Sequence, residues 1–166
     1  MLASSDAEAL LKETLALEAD RAVALSDPSF FGGDATAAAI ALAQAASKLK
    51  ADLILCGEGT IGHRVAEALN IPSVDSMNGI SFDPGGLKFH AKGNDGPVGI
   101  DVSFPLLASI LPGSNTPRIA NAMKIMKAAK KEITRWSPAD LGLAPESVGS
   151  AVAGMERVRS FTPESS

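Results

Sequence analysis

The sequence predicts an α/β domain on a mainly parallel sheet with an inserted β-hairpin, and three observations carry that reading. Short apolar runs at residues 22–25 and 53–56 alternate with amphipathic helical stretches. A glycine-rich turn, "GEGTIG", joins one such run to the helix that follows. The period then switches to strand-like alternation in "LKFHAKGNDGPVGIDVS". With 166 residues, 46% of them hydrophobic, one domain with a real core is expected. Aromatics make up only 4% and tyrosine is absent, so small side chains must bring helices and sheet close together.

Taken in order, residues 6–21 read as a helix, with Asp6 as N-cap and Leu10, Leu11, Thr14, Leu15 and Leu17 as its stripe. A short strand at 22–25 leads into "SDPSFFGGDAT", whose Asp34 caps an alanine-rich helix running to about Lys50. The strand at 52–56 holds a continuous apolar run at 53–56, as a strand buried on both faces should, and is followed by a helix at 63–70 and an extended segment at 72–77. Asn94, Asp95 and Gly96 form hairpin-turn chemistry between two alternating runs. Residues 105–111 make another buried run, and 117–133 a helix with Ala122, Ile125, Ala129 and Ile133 on one face. "SPAD" at 137–140 is a capping box opening a short helix that Gly142 can end, and residues 144–166 read as a loosely ordered tail.

A net charge of −4 argues against a general nucleic-acid binder, which needs a surplus of cations on one face. A single cysteine, Cys56, and two histidines, His63 and His90, assemble neither a disulfide framework nor a four-ligand zinc site. No leader and no apolar run of membrane-spanning length stands out, so a cytoplasmic or organelle-matrix protein is expected.

Gly57, Gly59 and Gly62 have the spacing of a dinucleotide fingerprint, which sets phosphate against backbone N–H groups at a helix N-terminus. Three glycines also suit a plain strand-to-helix turn that needs small residues. Cys56 reads as an inert core thiol, His63 and His90 as surface imidazoles, and Asp34 as a cap rather than a ligand. Lys124, Lys127, Lys130 and Lys131 make either a docking face or a solvated face that complements the helix dipole, while Arg118, ahead of the helix, is the better partner candidate. No residue stands out for acid–base catalysis.

Three stretches together resemble the beta subunit of electron-transfer flavoproteins: "EADRAVALSDPSFFGGDATAAAIALA", "KLKADLILCGEGT" with "AEALNIP", and "TPRIANAMKIMKAAKKEITRWSPADLGL". They are spread over residues 18–143. The resemblance implies a HUP-like, adenine-nucleotide-binding three-layer domain over residues 1–143. It also implies an alpha-like partner subunit holding most of an FAD, AMP or a second FAD bound by the beta subunit, and a dehydrogenase as electron donor. Gly57, Glu58, Gly59, Thr60, Ile61 and Gly62 occupy the place of the family's nucleotide-phosphate loop, and Arg118, Lys124 and Lys127 that of its docking element.

The departures from the family are as specific. The family's loop is longer and aspartate-rich, whereas only Thr60 and Ile61 separate Gly59 from Gly62 here, so AMP is expected to bind weakly. The chain begins at what resembles the family's second helix. "KGNDGPVG" keeps Lys92, Asp95 and Gly96 of the family's hairpin, but Val98 or Gly99 stands where a glutamate is expected. The short loop and "RVAEALNIPSVD" are also similar to the alpha subunit's amino-terminal domain. An electron-transfer subunit is therefore the leading expectation. A stand-alone AMP- or ATP-binding module of the same fold is the rival, and an NAD-linked dehydrogenase using Asp75 a distant third.

Overall fold

In the computed structural model, residues 5–83, 86–93, 96–155 and 158 are described. The expected hairpin turn at Asn94 and Asp95 lies outside them, as do the side chains of Asp6 and Lys92 and most of the tail beyond residue 155. Helix α1 spans Ser5–Ala16, so Asp6 is inside the helix instead of capping it. It stops five residues short of Arg21 because Glu18 takes a left-handed backbone, φ 76°. Strand β1 (Val23–Leu25) and helix α2 (Ala35–Leu49) follow, with Asp34 accepting from the amides of Thr36 at 2.9 Å and Ala37 at 3.0 Å as expected of an N-cap.

Strand β2 (Leu53–Gly57) leads through Gly59 into α3 (Thr60–Leu69), which starts one turn earlier than its sequence pattern suggests. Then come β3 (Ser73–Asp83), β4 (Gly86–Gly93), β5 (Gly96–Asp101), β6 (Leu106–Ile110), α4 (Ala122–Lys130) and β7 (Thr134–Trp136). The capping box forms as read, with the Ser137 hydroxyl and amide donating to Asp140 at 2.7 and 2.8 Å and Gly142, φ 69°, ending the turn.

Among the described residues the strands form two sheets, not one. β2, β6 and β3 run parallel, and β4 and β5 extend β3 antiparallel, giving the order β2-β6-β3-β4-β5. β6 sits between two parallel neighbours, and its residues Leu106 to Ser109 are at most 1% exposed, which is why its sequence is a continuous apolar run. Among the described residues β1 pairs with β7 alone, in parallel. Ala22 packs toward α1 and α4, whereas Leu25, three residues on and so on the opposite face, packs against Ala41 and Ala45 of α2. Through Ala39 and Ala43 the same helix also reaches Val65 of α3 and Leu107 of β6.

α2 therefore joins β1 to β2 across a gap, since among the described residues neither strand is hydrogen-bonded to the other. A cleft of about 800 Å³ opens there, lined by Leu25, Leu42, Leu49, Ile54 and the turn from Gly57 to Gly62. β2, read from its sequence as buried on both faces, is instead an open edge strand, and its Leu55 is 52% exposed. Two unpaired parallel edges over an apolar floor are a template for further strands. The 166-residue chain alone is expected to bind an apolar-surface dye and to associate as concentration rises; a dye-silent, concentration-independent monomer by light scattering would contradict this.

The remainder of the expected tail is partly packed among the described residues. Pro145–Ser147 and Gly149–Val152 are short 3-10 turns, and Val148 is 1% exposed in the cluster containing Leu25 and Phe30. Asp34 ties this segment down, accepting from the Gly154 amide at 2.9 Å. The Ala37 amide, followed by those of Gly154, Thr36 and Met155, holds Asp34 below the usual carboxylate range. Asp75 and Asp140 are lowered too, so folding is favoured above the unfolded carboxylate pKa of about 4 and loses these contributions as pH falls through the lower native values. Melting temperature is expected to drop between about pH 5 and pH 3. Asp34→Asn, which keeps a capping oxygen without the charge, should flatten part of that drop; an unchanged pH profile would remove Asp34 from the account.

Candidate functional site

The six turn residues singled out in the sequence all line the cleft between the two sheets. Their roles divide on geometry. Gly57 and Gly59 have open space where a Cβ would stand, and Gly59, φ 138°, is the N-cap of α3 without a side-chain capping bond. The first amides of α3 therefore point outward unsatisfied by any cap side chain, and the positive end of the helix dipole is presented with them. Gly62 is different. A Cβ there would lie 2.5 Å from the Cys56 Sγ and 3.3 Å from Leu107, so this glycine lets α3 lie on β2 and β6. Thr60 supplies the one hydroxyl of the turn, no lysine or arginine occurs in it, and Glu58 adds a negative charge.

Behind it lies a polar cluster that sequence spacing did not assemble. A bulge in β3, with Ser76 at φ 57°, turns Asp75 to within 3.7 Å of His63 Nε2, while Ser73 Oγ lies 3.4 Å from His63 Nδ1. The buried Ser109 hydroxyl makes no hydrogen bond of standard geometry, yet it faces the Asp75 carboxylate and is the first cause of its lowered pKa, ahead of the Ser76 amide. Burial, and secondarily the Asp75 charge, pushes the Cys56 thiol up, which agrees with the inert thiol expected. His63 is a half-exposed helix-surface imidazole, as read, whereas His90, also expected at the surface, is part-buried, with Ser81 Oγ 2.8 Å from its Nε2. No three metal-ligating side chains converge among the described residues.

The second candidate surface is α4. It is nine residues long, not seventeen, because Asn121 caps it by accepting from the Lys124 amide at 2.9 Å. The expected apolar face of Ala122, Ile125 and Ala129 is outward; Ala128 is the buried residue, against Leu15, Ala16 and Ala22. Ile119, Met123, Ile125 and Met126 are all more than half exposed, so apolar and basic side chains share one accessible surface. Lys12 of α1 fastens the far end of the helix, donating to the Ala129 carbonyl at 3.0 Å. Arg118 and Lys124 are not free: both reach Glu18, at 3.7 and 2.8 Å. Lys127 forms no hydrogen bond or ion pair among the described residues, and no helix among them is long and apolar enough to cross a membrane.

With this geometry in place, the likenesses to known proteins are informative. Residues 1–141 match the family model of the electron transfer flavoprotein domain. The chain is 34% identical over 165 residues to the caffeyl-CoA reductase-Etf complex subunit CarD of Acetobacterium woodii, covering 95% of this chain and 63% of that protein. It is 32% identical over 146 residues to an electron transfer flavoprotein subunit beta of Clostridium acetobutylicum, covering 84% of this chain and 56% of the relative. The subunit beta of Thermoanaerobacterium thermosaccharolyticum is 31% identical over 167 residues, 96% of this chain and 64% of the relative. The chain thus spans between 56% and 64% of the length of these curated relatives.

Proposed function

The chain belongs to the electron transfer flavoprotein family, on its beta-subunit side, and from that membership we propose that it works as an electron-transfer subunit beside an alpha-like partner that holds most of an FAD. Electrons pass from a dehydrogenase to an acceptor through that flavin, in the cytoplasm or, in a eukaryote, the mitochondrial matrix. The observation that carries the reading is that similarity to such subunits runs over 95% of the chain, through both the glycine turn and α4. FAD supplies the one- and two-electron chemistry when bound. This chain's part is to support and to dock: the α3 amides face the cleft, and α4 presents lysines interleaved with methionines. The test is co-expression with the neighbouring gene followed by absorbance of the purified complex. Flavin bands that require both chains support the reading; a chain that recruits neither flavin nor partner overturns it.

The uncapped N-terminus of α3 also favours a second reading, a nucleotide-binding module without redox activity. AMP is expected to bind in the range of about 0.1 to 1 mM, since only backbone amides, the helix dipole and Thr60 oppose the charge of Glu58. Gly59→Asp should abolish it by placing a carboxylate at the helix start, and will also strain a backbone at φ 138° that side chains rarely adopt. Calorimetric titration decides: sub-micromolar affinity makes the short turn a working nucleotide site by itself.

A further inference from the structure

The turn that ends α1 and the first turns of α4 enclose a cavity of about 410 Å³, in which Lys124, Lys127 and Lys131 stand against Glu18 and Asp20. Three of the surrounding cations are drawn onto the α1 turn. Lys124 Nζ lies 2.8 Å from Glu18 Oε2, and Arg118 places one guanidinium nitrogen 3.7 Å from the same oxygen while donating from another to the Leu17 carbonyl at 3.1 Å. Lys131 donates to the Ala19 carbonyl at 3.0 Å. Counting Arg118, four cations surround two acids, so this notch keeps a positive surplus even with Glu18 in it.

Glu18 occupies this place at a cost in backbone conformation. Its φ of 76° is a left-handed value that glycine adopts freely and a glutamate does not. The carboxylate is also more than half exposed, at 56%, so its contact with Lys124 is open to exchange rather than locked in a core. Met123, which lines the notch and is 67% exposed, and Ile119, the chain neighbour of Arg118 at 95%, give an incoming chain apolar surface to rest on.

We propose that the notch is a carboxylate receptor on the docking face, that Glu18 is its built-in competitor, and that an aspartate or glutamate of a partner protein displaces Glu18 when the two surfaces meet. The idea rests on the docking role given to α4 above and adds the regulation of that surface. On association Lys124 and Arg118 change from an internal to an external carboxylate, with no net loss of ion pairs. Glu18 thus lowers the affinity for acidic surfaces in general, so that only a partner that also covers Met123 and Ile119 holds on. The lowered pKa of Glu18, caused first by its hydrogen bond from Lys124, agrees with a strongly cationic notch.

The test is fluorescence anisotropy of a labelled hexaglutamate peptide titrated with the 166-residue chain at about 20 and about 200 mM salt. Glu18→Gln and Glu18→Gly are each expected to bind the peptide about two- to fivefold tighter at low salt, the span an exposed ion pair supplies, and the gain should shrink at high salt. Glu18→Gly suits the left-handed backbone, which protects the test if the glutamine variant folds poorly. In a Lys124→Met background the effect of Glu18→Gln should fall toward zero. Equal or weaker binding by both Glu18 variants would make Glu18 an organiser of the cations and overturn the proposal, as would a peptide that binds none of the proteins. Flavin recruitment is scored separately, so a lost electron-transfer reading and a lost competitor leave different records.

Discussion

Replacing Phe89 by alanine is expected to lower stability by about 3–5 kcal/mol, the usual cost of emptying a fully buried aromatic site. Phe89 is 0% exposed at the middle of β4, with Ile80 and Ile100 as its register partners and Met77, Leu106 and Ala108 packed around it. The side chains packed around it are aliphatic, and none has the volume of a phenyl ring. Since β4 and β5 hang on the parallel strands through β3 alone, the loss should appear first as hydrogen exchange in residues 86–93 and 96–101, then as a lower denaturation midpoint. A midpoint within experimental error of the wild type would mean that the hairpin is not part of the cooperative core.

Gly62→Ala is expected to cost about 1–3 kcal/mol, although alanine is the better helix former, because its Cβ would stand 2.5 Å from the Cys56 sulfur. The physical cause is tested by the double variant. Cys56→Ala removes the sulfur and should recover most of the loss in Gly62→Ala, with a coupling of about 1 kcal/mol or more in a double-mutant cycle. Simple additivity would show instead that Leu107, 3.3 Å away, sets the limit. Because α3 carries the amides that face the cleft, the single variant should also weaken AMP binding and the double variant restore it.

The same pair shows why the glycine turn could be located in the sequence but not interpreted there. The G-x-G-x-x-G spacing is visible in the letters, yet two of the glycines face open space, one of them as a helix N-cap, and the third serves helix packing, a division made by Cys56 of β2 and Leu107 of β6. The cations of α4 give a parallel case. As a sequence they are a basic run; in the fold Arg118 and Lys124 are turned back onto Glu18, a hundred residues away, and Lys127 is the one of the three proposed docking cations without an ion pair among the described residues. Arg118, Lys124 and Lys127 all replaced by serine would therefore disturb α1–α4 packing as well as docking, and Lys127→Ser is the cleaner probe.

By itself the sequence determined what depends on neighbours along the chain: the α/β alternation, the Asp34 cap, the Ser137–Asp140 capping box and the buried run that became β6. These are local because a cap or a strand pattern is satisfied within a few residues. The tertiary structure alone decided that β1 and β2, joined by α2, do not pair among the described residues, that α1 ends at Ala16, just before the left-handed Glu18, and that His63, Asp75 and Ser109 meet. Each of those depends on which hydrogen-bonding edge or charge arrives from far along the chain, and local periodicity holds no record of that partner.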